Sequence, residues 1–129
     1  LIKPKKSSFM IKDTLTSAIR SLSKKHNIQS NEVRIRISKP DDSLKYEIMK
    51  NTEILEETNL ATALNLNAIT SFMVGNRLNT IVDSLVKDYQ VPYNKINVRI
   101  YTKTEDCSPL LYLFDGVTPK TPLNIDDLV

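Results

Sequence analysis

The sequence predicts an α+β fold in which two pseudo-repeated β-α-β-β units share a mainly antiparallel sheet and pack amphipathic helices on one face. Three observations support this prediction. Residues 8–37 align with residues 71–100 without a gap, at a spacing of 63 positions. Each repeat contains a helical stripe of apolar residues, and a strand with alternating apolar residues follows each stripe.

The repeat is strongest at its apolar positions. Of the 30 aligned pairs, ten are identical and five exchange Ile with Val. The tetrapeptide SFMI at residues 8–11 returns as SFMV at residues 71–74. Because helix and strand patterns stay in register over the whole alignment, we interpret the repeat as an internal duplication. We therefore expect one compact domain, residues 1–129, built from repeats that span residues 8–70 and 71–129.

Each repeat is expected to open with a short buried strand. The SFMI and SFMV segments are apolar and end in a β-branched residue, which suits a buried strand. The strand is expected to stop at Lys12-Asp13 in the first repeat and at Gly75-Asn76 in the second. Asp13 and Asn76 are the predicted N-caps of the following helices, because their side chains can accept hydrogen bonds from free backbone N–H groups.

An amphipathic helix is predicted next in each repeat. Its apolar residues recur at spacings i, i+3, i+4 and i+7, which places them on one helical face. They are Leu15, Ala18, Ile19 and Leu22 in the first repeat and Leu78, Ile81, Val82 and Leu85 in the second. We expect the two helices to end near His26-Asn27 and Tyr89-Gln90.

The clearest strands follow the helices. VRIRI at residues 33–37 and INVRIYT at residues 96–102 alternate apolar with polar residues, the period of a half-buried strand. The chain is then expected to turn and return as LKYEIMK at 44–50 and LLYLFDG at 110–116, which completes a hairpin in each repeat.

The segments after the hairpins have weaker patterns. Residues 51–70 predict a short helix or two turns, and the tail from residue 117 is expected to be more loop-like because it carries Pro119 and Pro122. The predicted core combines the apolar positions of helix and hairpin with their equivalents in the second repeat. In the first repeat it comprises Phe9, Ile11, Leu15, Ile19, Leu22, Val33, Ile35, Ile37 and Ile48.

The composition is that of a folded globular domain, with 40% apolar and 26% charged residues. No apolar run approaches the roughly 18 to 20 residues that a transmembrane helix needs. The single cysteine, Cys107, favours a reducing compartment, so we expect an intracellular protein of the cytoplasm or nucleus. Because the sequence begins with Leu1, we expect an excised domain or a processed fragment.

Charge is distributed unevenly along the chain. Residues 1–50 contain 12 Lys and Arg against 5 Asp and Glu, whereas residues 51–129 contain 6 against 10. Such an asymmetry can offer a basic face to an acidic partner. The alternative interpretation is two faces that are solvated differently.

Features typical of enzymes are weak. His26, the only histidine, follows two lysines and is expected at a solvated helix end. Adjacent acidic pairs such as Asp41-Asp42 and Glu56-Glu57 are expected in turns, where they diverge. Two glycines cannot supply a phosphate-binding loop. With 6% aromatic residues and no Trp, the composition predicts poor stacking platforms for single-stranded nucleic acid. We therefore expect a non-enzymatic protein with no metal and no cofactor.

The end of the second repeat, LYLFDGVTPKTPLNIDDLV, resembles a ubiquitin-like domain, in which a strand ends in a Phe-x-Gly turn and a TP-x-x-L segment leads to a short helical turn. The helix-then-strand order of each repeat is similar to that superfamily. The hairpin directly after the helix looks most like Ras-binding and Ras-association domains. A complete domain of this kind opens with a β-hairpin, whereas each repeat has one recognisable strand before its helix. The alternatives are one sheet shared by both repeats and a different fold built from repeated strand–helix–hairpin units. We favour the shared sheet, because one repeat of about 60 residues buries a marginal core and leaves the edges of its sheet unpaired.

The candidate binding residues are basic and lie in the first repeat. They are Lys5, Lys6, Lys12, Arg20, Lys24, Arg34 and Arg36. In Ras-binding domains, basic residues of the second strand and the following helix meet an acidic edge of the GTPase. The resemblance implies this place for Lys6, Lys12 and Arg20 or Lys24. Because the second repeat has Gly75 and Asp83 where the first has Lys12 and Arg20, charge-led binding is expected of the first repeat alone.

The leading functional hypothesis is a non-enzymatic protein–protein interaction module of a larger intracellular protein or complex. It would bind a protein with an acidic surface through an exposed strand edge or a basic sheet face. The alternative is binding of nucleic acid or of an acidic phospholipid surface through the basic N-terminal half. A steep loss of binding with salt would favour that alternative, because phosphate contacts release counterions.

Overall fold

A computed structural model describes residues 4–64, 66–103 and 109–123, with side chains described from residue 14 onwards within these ranges. Its elements are two long helices, a short helix, a 3-10 turn and six strands. The helical elements are α1 (Pro4–His26), the 3-10 turn (Ser30–Glu32), α2 (Leu60–Ala63) and α3 (Ala68–Tyr89). The strands are β1 (Val33–Ser38), β2 (Lys45–Lys50), β3 (Glu53–Thr58), β4 (Ile96–Tyr101), β5 (Leu110–Asp115) and β6 (Thr118–Leu123).

All six strands form one antiparallel sheet in the order β3-β2-β1-β4-β5-β6. The central pair joins the two halves of the chain, with Ile35 opposite Ile100 and Ile37 opposite Val98. The predicted α+β class and antiparallel sheet are therefore confirmed. The sheet is shared by both halves, which was the alternative to two separate ubiquitin-like units.

The core lies between one face of the sheet and the helices. Buried residues of α1, α2 and α3 form one cluster with alternate residues of the four inner strands β1, β2, β4 and β5. Its largest buried members include Leu15, Ile19, Ile35, Ile37, Ile48, Val82, Ile96, Ile100 and Leu113. Most of the predicted core is thus correct. Phe9 and Ile11 lie outside the described side chains, and Phe72, the equivalent of Phe9, is wrong as a core residue because 71% of it is exposed.

The predicted opening strand of each repeat is wrong, because SFMI lies inside α1 and SFMV inside α3. The α3 helix begins earlier than expected, where the side chain of Asn67 caps it by accepting a hydrogen bond from the Thr70 amide at 2.8 Å. Asp13 and Asn76 are interior helical residues and not N-caps. A four-residue apolar run fits a strand and one turn of a helix equally well, which explains the error.

Each half therefore runs helix, strand, strand, strand, in place of the predicted β-α-β-β order. The short helix expected within 51–70 is present as α2 (Leu60–Ala63), although an earlier part of that segment forms β3. The third strands, β3 and β6, were not predicted, and β6 replaces the loop expected near Pro119 and Pro122. Both are edge strands, where proline is tolerated because one side of the backbone faces away from the sheet. The interpretation of the repeat as an internal duplication stays a prediction.

Residues in the left-handed backbone conformation follow the ends of α1, α3 and β5. The helices stop at His26 and Tyr89 as predicted, and each is followed by a residue with φ of 55°, Asn27 and Gln90. Gly116, with φ of 63°, begins the two-residue connection from β5 to β6. Glycine suits this position because it adopts the left-handed conformation without a steric cost.

Candidate functional site

The sheet face opposite the helices carries the candidate site. Because side chains alternate along a strand, the residues between the buried core positions point to this face, which we call the open face. On the two central strands these residues are Arg34, Arg36 and Ser38 on β1 and Asn97, Arg99 and Tyr101 on β4. None of the described helices packs against them.

The strand register places a charge gradient across the open face. In one cross-strand row, Glu47 lies opposite Arg36, Arg36 opposite Arg99, and Arg99 opposite Tyr112. Arg36 and Arg99 are therefore direct neighbours at the centre of the sheet, which is unfavourable for like charges unless other groups stabilise them. The two arginines are stabilised in different ways.

Arg36 belongs to a network of paired charges on the β2 side. Its Nε donates to Glu47 Oε1 at 2.9 Å, and Glu47 is buried with an exposed fraction of 4%. Lys45 Nζ lies 3.8 Å from the other Glu47 oxygen and 3.3 Å from Glu57 Oε2. Two basic and two acidic side chains thus balance one another, which leaves this side of the face little attraction for an anion.

Arg34 and Arg99 are held by aromatic rings and neutral acceptors. The Arg34 Cζ lies 5.0 Å from the Tyr101 ring centroid, and its Nη1 donates to the Asn31 carbonyl oxygen at 2.7 Å. The Arg99 Cζ lies 4.0 Å from the Phe114 ring centroid. Within the described residues, neither guanidinium pairs with a carboxylate. Neither positive charge is balanced by a direct ion pair among the described residues, although Glu32 offsets part of the effect of burial at Arg34.

Burial lowers the pKa of both guanidinium groups. For Arg99 the positive charges of Arg36 and Arg34 lower the pKa further, whereas Tyr101 and Glu32 partly offset the effect of burial at Arg34. An arginine remains protonated in spite of such shifts. The lowered pKa values mean that the charged guanidinium groups are poorly solvated and that nearby positive charges repel them. An anion bound between the two groups would reduce both the desolvation cost and the repulsion.

These two arginines line a groove of about 400 Å³, together with Tyr101, Tyr112, Phe114 and Pro119. We call it the arginine–aromatic groove. Its volume falls in the range of about 300–1,000 Å³ that is typical of small-ligand sites. The Tyr112 and Phe114 ring centroids are 5.6 Å apart with an interplanar angle of 59°. The groove therefore combines charged hydrogen-bond donors with aromatic faces on one surface.

The predicted binding residues are divided between two sides of the molecule. Arg34 and Arg36 lie on the open face, and only Arg34 lines the groove. Arg20 and Lys24 are exposed on α1, which covers the other face of the sheet. The predicted strand around Lys5, Lys6 and Lys12 is wrong because these residues lie in α1; their side chains are outside the described part. Of the predicted residues whose side chains are described, the structure brings together Arg34 and Arg36.

Sequence reasoning missed Arg99, Tyr101, Tyr112 and Phe114 as site residues. Composition suggested that aromatic stacking was poor, yet three of the eight Tyr and Phe residues line one groove. The alternation in INVRIY and LLYLFD carries the missing signal, because it predicts which side chains share the face opposite the core. The groove also draws five of its six lining residues from the second half of the chain, where no charge-led binding was expected.

Other polar clusters link elements to each other. His26 Nε2 lies 3.0 Å and Lys25 Nζ 2.9 Å from Glu56 Oε1, so the end of α1 is tied to β3 and is not simply solvated. Glu56 and Glu57 belong to β3 and not to a turn. On the other side, Asp83 Oδ1 accepts hydrogen bonds from Lys39 Nζ at 3.0 Å and from the Tyr93 hydroxyl at 3.1 Å.

The described ranges contain no group of three or more His, Cys, Asp or Glu side chains that could hold a metal ion. Among the helices that the structure describes, none combines the length and apolar character needed to cross a membrane. Cys107 and the acidic pairs Glu105-Asp106 and Asp126-Asp127 lie outside the described residues.

Comparisons with known proteins identified no relative of this chain. No protein-family model matches the chain, and no match was found among curated proteins or solved structures. The resemblance to ubiquitin-like and Ras-binding domains therefore stays a prediction.

Proposed function

We propose that this chain is a non-enzymatic binding module that holds nucleic acid on the open face of its sheet. One observation carries the proposal: two guanidinium groups without a carboxylate partner among the described residues share a groove with three aromatic rings. Arginine forks match the geometry of phosphate oxygens, and aromatic faces stack on bases. An acidic peptide would satisfy the charges but would make less use of the rings.

The two sheet edges support binding through the face over binding through a strand edge. β6 carries Pro119 and Pro122, which cannot donate backbone hydrogen bonds to an added strand. β3 carries Glu53, Glu56 and Glu57, and its pairing with β2 contains a register shift. Prolines, charges and bulges are features with which proteins prevent strand addition at an edge.

The proposal is tested by titrating the purified chain into a fluorescein-labelled, mixed-sequence oligonucleotide while anisotropy is measured at several salt concentrations. Arg34→Gln combined with Arg99→Gln should weaken binding by at least about tenfold and reduce the salt slope by about 1 to 2. The thermal midpoint should fall only modestly, because each guanidinium loses hydrogen bonds and an aromatic contact but no ion pair among the described residues.

The matched control is Arg20→Gln combined with Lys24→Gln, which removes the same two charges from α1 on the other side of the sheet. It should retain most of the affinity. Equal losses in the two double variants would show that only net charge matters, and no binding by the wild-type chain at low salt would overturn the proposal.

Binding to another protein is the second candidate, and a specific surface favours it. Ile69, Phe72 and Met73 are exposed at 76%, 71% and 65%, and their i, i+3, i+4 spacing forms an apolar patch at the start of α3. Affinity capture at low and high salt distinguishes the two candidates. A protein partner held by the patch should persist at high salt and be lost with Phe72→Ser, whereas nucleic acid should be lost with salt alone.

A further inference from the structure

We propose that the arginine–aromatic groove binds one unpaired nucleotide at two points, with Arg34 and Arg99 on a phosphate and the Tyr112 ring on the base. This inference rests on the proposed nucleic-acid function and specifies how the groove would perform it.

The phosphate side is held in place before any ligand binds. Arg99 Nε donates to Asn97 Oδ1 at 3.2 Å. Asn97 is itself oriented by its amide nitrogen, which donates to the carbonyl oxygens of Lys95 at 3.2 Å and Gly116 at 3.0 Å. Because Arg99 uses Nε for this bond, its terminal nitrogens can donate to an anion. Such preorganisation reduces the conformational entropy lost on binding.

Arg34 is oriented in a similar way from the neighbouring strand. Its Nη1 donates to the carbonyl oxygens of Asn31 at 2.7 Å and Val33 at 3.1 Å, while the guanidinium lies over Tyr101. The two guanidinium groups line the same groove, although they come from different strands. One phosphate between them can pair with both guanidinium groups, whereas no described carboxylate forms an ion pair with either.

The position of the base is inferred from which aromatic rings are already covered by a guanidinium group. The Arg34 guanidinium lies over Tyr101 and the Arg99 guanidinium lies over Phe114. Tyr112 lies directly opposite Arg99 in the sheet, and among the described residues no cation lies over its ring. Tyr112 is therefore the ring available to stack on a base beside the phosphate site.

The residues around the groove limit its ligand to a short segment of single-stranded nucleic acid. A base can stack on a side chain only when it is released from pairing and stacking in a duplex. On the β2 side, the balanced charges of Arg36, Lys45, Glu47 and Glu57 offer little attraction to a further phosphate, and on the β6 side the groove is lined by the uncharged Pro119. One nucleotide, with its phosphate over β1 and β4 and its base over β5, satisfies these limits.

The experiment compares three fluorescein-labelled probes of equal length: a single-stranded oligonucleotide, the same sugar–phosphate chain with abasic sites throughout, and a duplex. The wild-type chain should bind the oligonucleotide about 5- to 150-fold more tightly than the abasic chain, and the duplex should resemble the abasic chain. Tyr112→Leu should reduce affinity for the oligonucleotide to that for the abasic chain and leave the abasic affinity unchanged. Arg99→Gln should weaken all three probes.

Tyr89→Leu, which removes an exposed tyrosine from α3, is the matched control and should retain the base preference. A second measurement needs no variant: a 5-bromouracil oligonucleotide bound to the wild-type chain should photocross-link at Tyr112. A wild-type chain that binds both single strands equally, a base preference that survives Tyr112→Leu, or cross-links only on α1 would each overturn the nucleotide site and leave the proposed function standing. Failure of every probe to bind would overturn both.

Discussion

Arg36 and Arg99 face each other across the central strand pair, yet only Arg36 has a carboxylate partner among the described residues. The 2.9 Å bond to Glu47 neutralises Arg36, whereas Arg99 lies 4.0 Å above the Phe114 ring. The sheet therefore has a balanced side and a side with unneutralised positive charge. The boundary between them runs along β1, since Arg34 contributes to the groove and Arg36 does not.

Glu47→Gln tests the balance of the Arg36 side. Loss of the carboxylate leaves the partly buried guanidinium of Arg36 beside Arg99, so we expect the free energy of unfolding to fall by about 2–4 kcal/mol. Affinity of the open face for an anion should rise, because a positive charge is released there. Urea denaturation measures the change in stability, and a phosphate-dependent thermal shift measures the change in affinity for an anion.

Glu57→Gln is the control, because Glu57 is exposed and its substitution should change stability by less than about 0.5 kcal/mol. Equal effects in the two variants would contradict the assignment.

The contact between α1 and β3 should be sensitive to acid. The hydrogen bond from Lys25, with a smaller effect of His26, holds the pKa of Glu56 below its ordinary value of 4.5. A depressed pKa stabilises the fold above the ordinary value, and this contribution is lost as pH falls through the lowered pKa. Because Glu56 is partly exposed, we expect less than about 1 kcal/mol. The stability difference between wild type and Glu56→Gln, measured by urea denaturation, should be present at pH 6 and shrink below about pH 4.5. A difference that does not change with pH would contradict this contribution.

Burial of Tyr46 should limit stability at alkaline pH. Burial raises the pKa of Tyr46 from its ordinary value of 10.0 to about 12. The phenolate therefore forms more easily in the unfolded chain, so stability should decrease as pH rises above 10 and continue to fall towards 12. Tyr46→Phe removes this contribution and should unfold at a higher pH than the wild type. Absorbance of tyrosinate, followed together with circular dichroism, measures both transitions. Tyr89→Phe, at an exposed position, should leave the alkaline midpoint unchanged.

The elements that the sequence predicted well are those with burial on one face. β1 and β4 alternate between apolar and polar residues, and the two long helices end about one turn after the last residue of the apolar stripe, at His26 and Tyr89. The edge strands β3 and β6 could not be recognised in this way, because few of their residues are buried and β6 contains two prolines. The alternation of apolar and polar residues predicts a strand only where one face of that strand is buried in the core.

The site was harder to predict than the fold because it depends on which strands are neighbours. Arg34 and Tyr101 are far apart in sequence and meet because β1 pairs with β4. The sequence indicates that Arg34 points away from the core, but it does not state which strand lies beside it. Once the strand order is known, the same alternation identifies Arg99 and Tyr112 as neighbours on the open face.

Phe72 is the predicted core residue for which the sequence prediction and the structure disagree most. The repeat predicts a core residue, whereas the structure places it on an exposed part of α3. Phe72→Ala should therefore change the free energy of unfolding by less than about 0.5 kcal/mol. Leu78→Ala, later on the same helix at a buried position, should cost about 2–5 kcal/mol because it leaves a cavity between α3 and the sheet. Urea denaturation of both variants gives the comparison. A cost of several kcal/mol for Phe72→Ala would mean that the first turns of α3 are covered, and it would remove the apolar patch as a surface for a protein partner.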